Sequence, residues 1–245
     1  MGGTTSAGRR RRRLLLLGTA ASATLALSLT EPASAVSTNL VLWQMNERAG
    51  ARVMVDSSVN RINGTIGTAV RTGVVSGRVI GYRWATTPNT PPAQPRRLIT
   101  VKDDARLDPG IGNYAVTVRF RTTQSLGNLI QKGQATVAGG YYKMSNANGR
   151  ITCLFRGSNF TLSKAVNSGL RPLNDGAWHT VRCERTINRV VMTIDGVRKR
   201  QGNGPTGNIA NAYPVSIGGK SKCNQVKVTC DYFAGDIDYV RIDKG

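Results

Sequence analysis

The chain has 245 residues and a formal charge of +21, from 34 Lys and Arg against 13 Asp and Glu. One His and four Cys exclude any mechanism or metal site that needs two imidazoles, and any fold held by disulfides alone. At 40% hydrophobic residues with 28 Gly, the chain is neither a coiled coil nor wholly disordered.

Residues 9–13 are all Arg, residues 14–29 are apolar or small without a charge, and Ala33-Ser34-Ala35 follows. That order predicts a signal peptide over residues 1–35, cleaved before Val36, and a single domain over 36–245 of a secreted, extracellular protein. The apolar stretch is shorter than the roughly 20 residues of a spanning helix, so no membrane span is expected after cleavage. Arg12-Arg13 leaves general and twin-arginine export both open.

Beyond the leader, apolar residues alternate with period two, the signal of half-buried strands. Val41, Trp43 and Met45 alternate with Leu40, Leu42 and Gln44. Tyr114, Val116, Val118 and Phe120 alternate with Ala115, Thr117, Arg119 and Arg121. Val190, Met192 and Ile194 form a third such face, and Val240 and Ile242 share one with Asp236 and Asp238. Asn148-Gly149 and Asp195-Gly196 suit the left-handed positions of type I′ hairpin turns. The proline-rich segment 87–95 must be a loop. No amphipathic helix of ten residues is legible after Ala35. The prediction is an all-β sandwich.

An exported chain pairs its thiols, and four Cys allow three connectivities. Cys153 shares a strand face with Ile151 and Phe155, and Cys183 with His179 and Val181. Cys223 and Cys230 flank one short loop. The pairs expected are Cys153–Cys183 and Cys223–Cys230. Paired CxxC spacing is absent, which argues against a thiolate zinc site.

After the leader the balance is 29 basic to 12 acidic residues, a surface that attracts polyanions. The densest basic clusters, Arg96-Arg97, Arg198-Lys199-Arg200 and Lys220/Lys222/Lys227, are short and lie on no helix. No sequence-specific nucleic-acid recognition is expected, and the charge reads as diffuse. The only Glu residues left are Glu47 and Glu184, and neither has an acid two or four positions on. A lone His179 without a GxSxG elbow is an incomplete catalytic set.

Several segments carry a resemblance: LWQMNERAGARVMVDSSVNRINGTIG, LNDGAWHTVRCERT followed by VVMTIDG, and DYFAGDIDYVRI. In order and spacing they resemble laminin-G-like domains of the concanavalin A-like superfamily, over about residues 38 to 243. The resemblance implies a jelly-roll sandwich of two antiparallel sheets, a last strand paired near the first, and ligand on the concave face. Related glycosidases use paired carboxylates that are missing here. Calcium is common in such domains. Asp238 matches their closing-strand Asp, and backbone carbonyls between Asp56 and Gly64 would complete the six to eight oxygens this ion takes. Trp43 and Trp178 match core positions of the motifs. Trp84, Tyr141 and Tyr142 are the candidate stacking faces for a sugar. The expected function is a non-catalytic binding module for extracellular polysaccharide or a cell-wall polyanion. The alternatives are a polysaccharide lyase using Tyr, Arg and His, and a protein–protein adhesion module.

Overall fold

The computed structural model describes residues 1–3, 38–135, 137–223 and 229–245, so the predicted signal peptide falls, but for its first three residues, outside the described set. All described strands belong to the unit Ser34–Gly245. In chain order they are β1 Thr38–Trp43, β2 Val53–Met54, β3 Gly64–Ile66, β4 Arg71–Ser76, β5 Val79–Trp84, β6 Ile99–Val101, β7 Tyr114–Arg121 and β8 Leu126–Lys132. Then follow β9 Tyr141–Ala147, β10 Arg150–Arg156, β11 Ser163–Asn167, β12 His179–Thr186, β13 Arg189–Ile194, β14 Val197–Asn203, β15 Val215–Ile217 and β16 Gly235–Lys244. Helix among the described residues is limited to the single turns Pro95–Arg97 and Ala105–Leu107.

The strands form two antiparallel sheets stacked as a jelly-roll sandwich. The first runs β14-β13-β12-β7-β16-β5-β4, with β1 also on β16; the second runs β11-β10-β9-β8-β15-β6-β3-β2. β7 shows how sequence becomes layer. Tyr114, Val116, Val118 and Phe120 are buried between the sheets, and Arg119 and Arg121 stand on the other side of the strand. From the second sheet Ile130, Tyr142, Met144 and Phe155 fill the same core. Asn148 (φ 55°) with Gly149 (φ 75°) and Asp195 (φ 50°) with Gly196 (φ 80°) make the two left-handed pairs that tight hairpins need.

Cys153 on β10 is bonded to Cys183 on β12, joining the two sheets with a Cα–Cα distance of 5.7 Å. Cys223 is bonded to Cys230 within one loop. These are the pairs that the strand faces and the loop spacing suggest.

The last strand is central. One flank of β16 pairs with β7 along almost its whole length. The other flank pairs with β5 from Gly235 to Ile237 and with β1 from Val240 to Lys244. Ile237, Val240 and Ile242 are fully buried. At roughly 1.5–3 kcal/mol per buried side chain, these three alone approach the 5–15 kcal/mol that stabilises a typical domain. A chain ending at Cys230 is therefore expected to be unfolded or insoluble, as circular dichroism and gel filtration would show. Cys223→Ser with Cys230→Ser should stay folded and lose only about 2 kcal/mol in urea melts, because the loop it closes is short.

Candidate functional site

The outer face of the first sheet carries an ordered lattice of opposite charges, built from residues that alternate with the core. Arg83 on β5 donates from Nε and Nη2 to the two oxygens of Asp236 on β16, at 2.7 and 2.9 Å. Arg121 on β7 reaches the same carboxylate at 2.7 Å. Arg119 donates to Asp238 at 2.5 Å. Asp243 accepts from Arg182 on β12 at 2.5 Å and from Arg241 at 2.6 Å, and Arg182 also meets Glu184 at 3.3 Å. The carboxylates form the floor and the guanidinium groups the top: the side chains of Asp236 and Asp243 are 6% and 1% exposed, those of Arg83 and Arg241 38% and 43%. Burial pushes the Asp236 carboxyl up, but hydrogen bonds from Arg83 and Arg121 outweigh it and hold the group below its ordinary range.

Trp178 lies against this lattice. It is half-buried, and the guanidinium carbons of Arg119 and Arg121 each sit 5.1 Å from its ring centroid, within cation–π range.

A groove of about 590 Å³ opens beside it, lined among others by Leu42, Arg78, Ile80, Arg119, Asp238 and Tyr239. Its origin is the divided flank of β16. Pairing with β5 ends at Ile237 opposite Tyr82, and pairing with β1 begins at Val240 opposite Trp43. Asp238 and Tyr239 fall between, at a bulge in the β16–β7 ladder. Arg78 is exposed at the β4–β5 turn.

The sequence-based site residues fare differently. Trp84 is 4% exposed; its indole N–H donates to the Arg97 carbonyl and its ring meets Phe233 edge-on. Tyr142 is 1% exposed, stacked on Phe155 and hydrogen-bonded to the Tyr114 hydroxyl. Tyr141 points the other way, as alternation requires, yet it too is buried, beside Gly133 and the segment at Asn211. None of the three offers a stacking face. Trp178, read from its motif as core, is the tryptophan that reaches the surface. Trp43 is core, its indole N–H donating to the Ile62 carbonyl at 2.8 Å.

The surroundings of Asp238 do not fit calcium. Its carboxylate is bonded to Arg119, and the groove around it also carries Arg78 and Arg241. The Asp56 carboxylate is buried and turned inward, accepting from Leu42 N, Ser58 N, Ser58 Oγ and Ile62 N at 2.7–2.9 Å. It organises its own loop instead of offering a vacant donor. Among the described residues no three His, Cys, Asp or Glu side chains gather in metal-binding proximity. Of the bases a lyase would employ, Tyr82 is buried against Glu47, and both effects raise its pKa. His179 lies between Asp195 and Asp175 at 2.9 and 3.1 Å.

The two stacked sheets define a concanavalin A-like sandwich, and the comparisons place it more narrowly. A model of the Laminin G domain matches residues 120–245, and the chain belongs to that family. It is 27% identical to mouse laminin subunit alpha-1 over 146 residues, which is 53% of this chain and 4% of that protein. Among solved structures, domain 4 of AbnA, a GH43 extracellular arabinanase from Geobacillus stearothermophilus in complex with arabinotriose, superposes with a TM-score of 0.57 at 15% identity. The match covers 86% of this chain and 94% of that one. The binding domain of botulinum neurotoxin serotype G gives 0.56 at 13%, covering 84% and 46%. At such identities these two show a shared fold. Among the described residues no helix is long and apolar enough to cross a membrane.

The lattice predicts an acid-sensitive component of stability. Because the pKa of Asp236 is lowered by folding, its contribution is full above the unfolded value of about 3.9 and disappears as pH falls through the lower native value. Asp236→Asn should cost roughly 2 kcal/mol at neutral pH and remove that component from thermal melts taken across the acid range. A variant that melts like the parent at every pH would show the lattice to be energetically idle.

Proposed function

We propose that the chain is a non-catalytic, extracellular binding module for an anionic polysaccharide, held on the outer face of the first sheet. The observation that carries this reading is the set of five arginines fixed over the carboxylates of Asp236, Asp238 and Asp243, two of them, Arg119 and Arg121, against Trp178. A guanidinium already oriented by a carboxylate beneath it loses little freedom when it meets an anionic group above. Trp178 adds a face on which a sugar ring can rest. Two disulfides among the described residues suit an oxidising compartment outside the cell.

A lyase remains the second reading, because Tyr239 lines the groove with Arg119 and Arg241 beside it. Calorimetry with polygalacturonate, dextran sulfate and neutral dextran separates these. The module should bind the two polyanions and not dextran, more weakly as salt rises. Trp178→Ala should cost about five- to thirtyfold in affinity. Equal affinity for neutral dextran would end the polyanion reading. Unsaturated uronate products accumulating from polygalacturonate would replace it with the lyase.

A further inference from the structure

His179 faces two carboxylates from separate parts of the chain. Nδ1 lies 2.9 Å from Asp195 Oδ2, in the turn between β13 and β14, and Nε2 lies 3.1 Å from Asp175 Oδ1, in the loop that ends at Trp178. An imidazole donates at both nitrogens only when doubly protonated; the neutral ring has one N–H and one lone pair. Loss of the proton therefore turns one of these two contacts from attraction into repulsion. Among the described residues Asp195 and Asp175 are the charged groups that act on the ring, and Phe120 of β7 packs beside it at a centroid distance of 6.5 Å. Burial pulls the ring's pKa down, but the hydrogen bonds to Asp195 and Asp175 outweigh it and hold the pKa above the ordinary imidazole value.

The two contacts are not equally secure. Asp195 also accepts from Thr180 N at 2.8 Å, and its own N–H donates to Thr180 O at 2.8 Å. The Asp175 side chain is 56% exposed, and its other hydrogen bond, from Ala177 N at 2.9 Å, lies within its own loop. Proton loss should release Asp175. The loop would then keep its tether from Gly176 N to Thr122 O, but not the one next to Trp178.

We propose that His179 is a positioning residue for the binding face. Its imidazolium clamps loop 174–178 to the β13–β14 turn, seats Trp178 against Arg119 and Arg121, and makes polyanion binding stronger in mildly acidic than in alkaline solution. The functional half of this inference rests on the polyanion-binding reading; the clamp does not.

Trp43 and Trp84 are buried, so acrylamide quenching of tryptophan fluorescence reports chiefly on Trp178. Dextran sulfate is a suitable ligand probe because its charge is constant over the range. From about pH 5.5 to 9, spanning the imidazole titration, quenching should rise and dextran sulfate affinity should fall roughly three- to tenfold, with one shared midpoint. His179→Gln should abolish both transitions. In Asp175→Asn the amide can donate to Nε2 of the neutral ring, so the bridge should survive at high pH and both transitions should shrink. Quenching that stays flat with pH, or a transition unchanged in His179→Gln, overturns the clamp. An affinity change with no quenching change reduces the effect to lost charge and overturns the positioning role. A quenching transition without dextran sulfate binding at any pH overturns the polyanion reading and leaves the clamp supported.

Discussion

The structure depends on how the flanks of β16 are shared. β7 takes one flank nearly whole, while β5 and β1 divide the other. Three physical results follow from that one constraint. The last described strand becomes a central one, paired on both flanks except at Asp238 and Tyr239, so that no continuous edge is left to recruit another chain. Its inward residues meet the second sheet and complete the core. Where the two partners fail to meet, at Asp238 and Tyr239, the flank opens into a groove. The close approach of β5 to β16 is permitted by Gly81, where a Cβ would sit 2.6 Å from the Ile237 carbonyl oxygen.

The lattice above β16 fixes side-chain direction more than it adds stability. Charge pairs of this kind recover little net free energy when one partner is solvated and lose heavily when one partner is removed. What they fix is direction. Arg83 and Arg121 converge on Asp236, and Arg182 and Arg241 on Asp243, so the sheet presents guanidinium groups outward in a set pattern. The inward-facing Arg185 shows the contrast. It is 1% exposed, its donors are taken by the carbonyls of Gly110, Gly112 and Gly207, and burial draws its pKa down to about 10. The same residue type one position from Glu184 serves as internal scaffolding.

Much of this was legible in the sequence. Alternation in 114–121 assigned the core face, the Asn-Gly and Asp-Gly pairs located hairpin turns, and shared strand faces suggested which cysteines meet. The site was less legible, because alternation says which face a side chain occupies and not which strands become neighbours. Arg83, Arg119, Arg182 and Arg241 are far apart in the chain and converge only through the order β12-β7-β16-β5. Arginines and carboxylates scattered along the sequence therefore meet as ion pairs in space. The outward positions of β7, Arg119 and Arg121, were the one local signal. The aromatic residues failed for another reason. Whether an outward tyrosine such as Tyr141 stays exposed depends on loops packed over it, and loop packing leaves no periodic mark.

The same convergence bears on chemistry. Acid–base catalysis on this face would need a carboxylate free to take or give a proton. Asp236, Asp238 and Asp243 each accept from a guanidinium at 2.5–2.9 Å, and on Asp236 the net effect favours the ionised form still further. The arginines that these carboxylates orient remain partly exposed at the surface. In this Laminin G domain sandwich the closing-strand Asp238 is engaged by Arg119, one pair of an ion-paired lattice that runs along β16.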